Sequence, residues 1–391
     1  MNAPDRWTGA RVVDLRPQSP GEPGWQDRWR AIRNRLLASP RFQRWAAAFP
    51  FTRPIARRRA RDLFDLCAGF VYSQVLYACI DLNLFERLAS GPRTTSDLAR
   101  LLGLPEPGAL RLLKAAETLG LVERAGPDRF ALGELGAALL GNPGVAEMVR
   151  HHAMLYRDLA DPVALLKGIR GPTNLGSYWA YAGEGRPETL NGDRTRDYSD
   201  LMGVSQALIA GDVLDAYPLA RHHRLLDIGG GNGAFLSAAG ARWPDLKLAL
   251  FDLPPVAEQA RARFEREGLA DRAEAVGGDL FADPLPRGAD CCSLIRVVHD
   301  HDDGPALAIL KAARAALEPG GALILAEPMS GTPGAEPIGE AYFGFYLLAM
   351  GSGRPRTPGE LIAMLDAAGF SGAGLRPTRR PLLTRLIVAK A

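Results

Sequence analysis

The sequence predicts an α/β protein: a C-terminal, doubly wound, Rossmann-like sheet preceded by a mostly α-helical winged-helix domain. Three observations carry this. From Arg224 onward apolar runs of strand length alternate with helical segments, the pattern of a parallel sheet with crossover helices. The first such run, Leu225 to Phe235, reads LLDIGGGNGAF, so a buried strand breaks into glycines and resumes as a helix. Between Thr95 and Leu132 a helix, a turn, a second helix and a short strand pair follow one another, which is the order of a winged helix.

The 391 residues exceed one ordinary core, and 47% apolar with 23% charged residues is the balance of a globular chain, not of a disordered one. A net charge of +3 is too small to imply nucleic acid by itself, but its distribution is uneven, with arginine crowding the first sixty residues. Cys67, Cys79, Cys291 and Cys292 lack metal-ligand spacing and sit in apolar runs, which predicts buried, reduced thiols and a cytoplasmic chain. No signal peptide and no membrane-spanning run is expected.

Residues 1–24, rich in Pro, Gly and charge, read as a loose arm. Trp25 to Arg61 spaces Trp25, Trp29, Ile32, Leu36 and Leu37 at helical intervals amid arginines, a basic amphipathic segment that suits either a membrane surface, making the chain peripheral on the cytoplasmic face, or a dimer partner. Leu63 to Gly91 predicts one or two buried helices, and Thr95 or Ser96 is expected to cap the next, with Glu106 or Pro107 opening the one after. Helices return over Val145–Ile169 and Tyr198–Tyr217. The strands then follow at RLLDIG, KLALFDL, AEAVGGDLF, DCCSLIRVVHD and GALILAEP, with a final hairpin within AGLRPTRRPLLTRLIVAKA. The expected division is an arm and amphipathic segment over 1–62, the winged-helix domain over 63–200 and the sheet domain over 201–391.

The glycine turn places Asp227, Gly229, Gly231 and Gly233 alternately, with Gly230 between, and lets the backbone approach a ligand while the following helix offers free amides. Asp252, with Leu253, ends the second strand about 20 residues on, where a carboxylate can take both hydroxyls of a ribose. Dinucleotide folds share these features. They lack the third signal, GGDLF, which sets Asp279 beyond the third strand in reach of an adenine amino group, with Leu280 and Phe281 flanking the ring. Three successive strand ends so equipped point to S-adenosylmethionine, with S-adenosylhomocysteine as its product, rather than to a nicotinamide cofactor.

The motifs LLDIGGGNGAF, LFDLP, GGDLF, VVHDHDD, PGGALILAEPM and AYFGFYLLAMGSGRPRT together resemble the plant-type class I small-molecule O-methyltransferases, which include hydroxyindole and caffeate enzymes, over roughly Ala68 to Ala391. The likeness is greatest to the carotenoid branch, the demethylspheroidene (hydroxyneurosporene) enzymes of photosynthetic bacteria. It implies a class I methyltransferase sheet, an N-terminal winged-helix dimerisation domain and a homodimer. It also implies that His299 is the general base, in a His-Asp-Trp-Asp pattern whose tryptophan is here His301. Carboxylates that orient the base then fall on Glu327 and Glu360, and a basic cofactor contact near Arg296.

Methyl transfer from a sulfonium needs an oxygen nucleophile held in line and relieved of its proton, so a base at the carboxyl end of the fourth strand is well placed. HDHDD also has alternating His and Asp that suit a metal, but no second ligand pair supports one, and no metal is expected. The resemblance makes the apolar helix with Tyr342, Phe343, Tyr346 and Met350 one wall of the acceptor pocket, and Met148, His152, Tyr156 and Met202 supply others. A methionine-lined pocket without charge suits a long apolar acceptor. The resemblance to the carotenoid branch then implies methylation of the tertiary 1-hydroxyl of an acyclic hydroxycarotenoid. A phenolic or quinone-like acceptor is the alternative. A winged-helix DNA-binding regulator is a second, but the helix PGALRLLKAAETLG offers only Arg111 and Lys114 to DNA, so no nucleic-acid partner is expected.

Overall fold

A computed structural model describes residues 24–169, 171–178 and 209–391. Met202, the loose arm up to residue 23 and most of the helix expected from Tyr198 lie outside the described residues. The chain divides into two compact units, one ending at Gln74 and the other spanning Val75–Ala391.

The first unit is helical. Helices Trp25–Ala38 and Pro40–Ala48 are joined at Ser39, whose hydroxyl accepts from the Phe42 amide, and a 29-residue helix, Arg53–Asp81, follows. That helix corrects the expectation of burial over Leu63–Gly91: Leu63, Phe64, Leu66 and Phe70 are all exposed, and within it only Cys79 and Ile80 are buried. The apolar face it carries is exposed among the described residues, and Cys67, expected inside, is exposed as well. By length and composition Arg53–Asp81 could also cross a membrane, although no such run was expected.

The second unit opens with the winged helix. β1 (Arg93–Thr94), β2 (Val122–Arg124) and β3 (Arg129–Leu132) form a small sheet in the order β1-β3-β2, framed by helices Thr95–Leu102 and Glu106–Thr118. The first of these is capped by Thr94, one residue earlier than expected, whose hydroxyl accepts the Asp97 amide at 3.1 Å, and Gly103 ends it with φ 66°. Leu98, Leu113 and Phe130 bury completely in its core with Leu84 and Cys79.

The sheet domain contains β4 (Arg224–Ile228), β5 (Lys247–Asp252), β6 (Ala273–Gly277), β7 (Ala289–Ile295), β8 (Leu317–Glu327), β9 (Ser371–Arg376) and β10 (Arg385–Lys390). Their spatial order is β6-β5-β4-β7-β8-β10-β9, with β4 to β8 parallel and β10 inserted antiparallel between β8 and β9. The expected closing hairpin is present, but its second strand, not its first, joins the parallel sheet. Both faces of the central strands are buried, which is why they read as unbroken apolar runs. The chain leaves β4 toward β5 on one side and returns to β7 on the other, so a crevice opens at the carboxyl ends of β4 and β7.

Candidate active site

Gly229, Gly230, Gly231 and Gly233 join β4 to the helix Ala234–Arg242 at this crevice. A side chain at Gly230 would meet the Asp227 carboxylate at 2.7 Å, and Gly233, with φ 80°, has the Phe264 ring 2.7 Å from where a Cβ would sit. Only glycine makes a turn this close. Beneath it Asp227 is fully enclosed: Ser293, its partner across β4 and β7, donates to Oδ1 at 2.6 Å, while Oδ2 has no hydrogen-bond partner among the described residues. Burial pushes this carboxyl up to about 7.

Asp252, at the end of β5, accepts the Gly231 amide on Oδ2 at 2.8 Å and the Leu253 amide on Oδ1 at 2.7 Å, and so fastens the glycine turn to the neighbouring strand. Asp279 lies two residues beyond β6 and accepts the Phe281 amide at 2.8 Å; Leu280 is half-buried against the sheet core and Phe281 exposed. The His301 ring stands edge-on to Phe281, with centroids 5.4 Å apart, so the residue that departs from the family pattern sits among those expected near adenine.

His299 falls in a one-turn 3-10 helix, Val298–Asp300, just past β7. It is buried, and its Nδ1 is paired with Oε2 of Glu327 at the end of β8. The other oxygen of Glu327 accepts the amides of Val297 at 3.1 Å and Val298 at 2.7 Å. One buried carboxylate therefore fixes both the turn and the imidazole. Glu360 does not join them, contrary to expectation. It lies at the third position of helix Pro358–Ala367, where Oε2 accepts the Thr357 amide and hydroxyl and Oε1 accepts from Arg354, a capping box with a cation attached.

The second carboxylate at His299 is Asp300, with Oδ1 3.1 Å from Nε2. Burial alone would lower the imidazole pKa, but Asp300 and Glu327 outweigh it and the net shift is upward. Burial raises Asp300 to about 6, against the pull of His299. Arg296 holds a left-handed backbone, φ 59°, and its charge bears on both His299 and Asp300.

A third support was not anticipated. The loop Ser352–Arg356 holds every carbonyl from Val298 to His301: Arg356 donates to Val298 at 2.9 Å and His301 at 2.8 Å, the Arg354 amide to His299 at 3.0 Å, and the Ser352 hydroxyl to Asp300 at 2.8 Å. Arg356 is only 2% exposed.

Of the expected pocket residues, Tyr342 and Phe343 occupy a π-helical turn, Ile338–Phe343, that runs into the helix Gly344–Met350. Phe343 meets His299 edge-on with centroids 6.0 Å apart, and Tyr342 packs on Phe343 and on His152, beside which lies Tyr156. His152 Nε2 pairs with the Tyr342 hydroxyl at 2.6 Å and His151 Nε2 with Tyr346 at 2.7 Å. These four rings, His152, Tyr156, Tyr342 and Phe343, form a half-buried row ending at the imidazole. Tyr346 and Met350 are instead buried in a cluster with Leu155, Leu165 and Leu175, because the helix is apolar on the side that faces helix Pro143–Asp158. Met148 is half-buried on that same helix.

Residues 156–371 match the O-methyltransferase domain family, and residues 64–142 the O-methyltransferase dimerisation domain. The chain belongs to this O-methyltransferase family. Among its relatives, the demethylspheroidene O-methyltransferase of Cereibacter sphaeroides is 44% identical over 91% of this chain and 93% of its own. The acetylserotonin O-methyltransferase of Mus musculus is 32% identical over 84% of this chain and 89% of its own. Among solved structures, human N-acetylserotonin methyltransferase in complex with S-adenosylmethionine superposes with a TM-score of 0.71 at 25% identity, covering 85% of this chain and 97% of that one. The enzyme is thus an S-adenosylmethionine-dependent O-methyltransferase with a class I Rossmann-like sheet, and its dimerisation domain supports a homodimer. Its own residues fit that cofactor: the enclosed Asp227 Oδ2 faces the glycine turn and, among the described residues, has no donor, which a cationic amino group would bring.

Proposed function

We propose that the enzyme methylates the tertiary hydroxyl of an acyclic hydroxycarotenoid of the demethylspheroidene type, with His299 as the base. The observation that carries the chemistry is the buried His299–Glu327 pair beside the glycine turn, reached by a row of aromatic rings. The relative 44% identical over nine-tenths of the chain supports the acceptor class.

Bound S-adenosylmethionine supplies a methyl group already activated by the sulfonium charge. In our reading Asp252 takes the ribose hydroxyls, Asp279 the adenine amino group with Leu280 and Phe281 along the ring, and Arg296 lies beside the reacting end. Glu327 accepts the Nδ1 proton of His299 and keeps the Nε2 lone pair available, as a carboxylate behind an imidazole does. When the acceptor enters, its hydroxyl displaces Asp300 from Nε2. A tertiary alcohol is a weak acid, so Nε2 would take the proton as the new O–C bond formed and the methyl–sulfur bond broke to leave S-adenosylhomocysteine, with the imidazolium held by Glu327 at Nδ1. The ring row Tyr342–Phe343 offers an apolar polyene a dry, uncharged wall.

Incubation of the purified enzyme with methyl-labelled S-adenosylmethionine and detergent-dispersed hydroxycarotenoids, followed by mass spectrometry, tests this. Label on the carotenoid oxygen is expected. Efficient labelling of phenols with none on hydroxycarotenoids would refute the acceptor while leaving the methyltransferase assignment intact.

A further inference from the structure

The family matches begin at residue 64, and the stretch before it has a character of its own. Between Trp25 and Arg61 the sequence holds eleven arginines, no lysine and a single acid, Asp27. Trp25, Trp29, Ile32 and Leu36 follow one another at intervals of four, three and four, which aligns them along one side of the helix Trp25–Ala38. They are 77%, 62%, 54% and 45% exposed. Arg28, Arg33 and Arg35 project to either side of that stripe, as the helical repeat requires. The next helix adds Trp45, stacked on Phe49 at 5.1 Å, and Phe49 leads to Phe51, which is 84% exposed.

We infer that this unit docks the enzyme peripherally on an anionic lipid bilayer, lying in the interface rather than crossing it. Indole rings sit well at the boundary between headgroups and acyl chains, because one edge is apolar and the other carries a donor. Arginines beside the stripe reach lipid phosphates while their methylenes stay on the apolar side. Charge selects this occupant over a second copy of the chain. Were this unit to pack on its own copy across a two-fold axis, it would bring arginine to arginine with only Asp27, Asp62 and Asp65 among its described residues to answer them. An anionic leaflet offers the missing negative charge at every position. The exposed apolar face further along Arg53–Asp81 lies in the dimerisation domain, so it has its occupant in the partner subunit. The inference does not rest on the acceptor assigned above.

The test is vesicle flotation of the full chain with phosphatidylcholine alone and with phosphatidylcholine containing a third of phosphatidylglycerol. Wild-type protein is expected to float with the anionic vesicles only, and to be released by high salt. Replacing Arg57, Arg58 and Arg59 with Gln is expected to weaken partition about a hundredfold, at about fivefold per arginine. Changing Trp25 and Trp29 to Ser should abolish flotation without altering the far-UV circular dichroism. As a readout independent of variants, brominated lipids should quench wild-type tryptophan fluorescence. Equal binding to neutral vesicles, resistance to salt that yields only to detergent, or no quenching would overturn the proposal. So would a Trp25/Trp29 variant that still floats but elutes as a monomer, since the stripe would then belong to a subunit contact.

Discussion

Arg356 gives the sharpest test of how the base is held, because it touches neither the glycine turn nor the aromatic row and acts only through the backbone around His299. In the variant Arg356→Met the side chain keeps most of its length and its apolar stem, but two hydrogen bonds to the Val298 and His301 carbonyls disappear. Bonds from a charged donor contribute about 1.5–3 kcal/mol each, so the loss comes to about 3–6 kcal/mol. The ion pair with Asp303 adds little, since that carboxylate is 61% exposed. A domain with the usual reserve of about 5–15 kcal/mol stays folded, with a lowered melting temperature. The larger effect falls on the turn, whose carbonyls keep the Ser352 and Arg354 contacts while its amides keep Glu327. A shift of about 1 Å in a reacting group costs about 10²-fold in rate. We therefore expect kcat to fall about 10²-fold, with S-adenosylhomocysteine affinity by calorimetry unchanged because Asp252 and the glycine turn are untouched. Arg356→Lys, which can reach one carbonyl but not both, should recover part of the rate. A folded Arg356→Met enzyme with wild-type kcat would show that the turn is rigid without its clamp, and the reasoning would fail.

His299→Ala should lower kcat by ~10²-fold or more with cofactor affinity retained, whereas His301→Ala should keep most activity; the reverse pattern would move the base. Asp300→Asn removes one of the two carboxylates that raise His299. Since the neutral imidazole is the active form, the acid limb of kcat/KM should lie above the ordinary value of 6.5 in the wild type and move to lower pH in the variant; an unmoved limb would exclude the contact. Asp252→Ala should weaken S-adenosylhomocysteine binding with little change in kcat at saturating cofactor, and unaltered calorimetric affinity would contradict the ribose assignment. Asp227 binds its proton more tightly in the folded state, at about 7 against 3.8, so the wild type loses stability as pH rises from about 4 to about 7. The melting temperature of Asp227→Asn relative to wild type should accordingly grow across that window and level off above it.

The parallel strands β4, β5, β7 and β8 were legible because each is buried on both faces, and a strand in that setting has no polar alternation to disguise it. Asp227, Asp252 and His299 were legible for a related reason: a polar residue that ends an apolar run has no structural excuse there. Glu360 was misplaced although the sequence held the correction, because Thr357-Pro-Gly-Glu360 ahead of an apolar run spells a capping box. Asp300 stood in plain view in HDHDD, but which of its acids turns inward depends on a 3-10 turn that no periodicity announces. Arg356 was beyond reach, since its role exists only once a loop more than fifty residues away folds back on the turn. The exposure of Cys67 and its apolar neighbours misled for the opposite reason: composition reports what a surface wants to bury, not whether one chain can bury it.

The paired contacts of His151 with Tyr346 and His152 with Tyr342 bear on how this enzyme can change its acceptor. Adjacent residues on one helix diverge by about 100°, and the two tyrosines lie four residues apart on the other. Sliding one helix past the other by half a turn, about 2.7 Å, stretches both contacts together to about 3.8 Å, beyond hydrogen-bond reach. The spacing between these helices is therefore a notched setting, like teeth on a ratchet, and not a gap that widens by degrees. An acceptor of different girth has to be met by trading the side chains along the row, one ring at a time, while the frame that carries them keeps its notch.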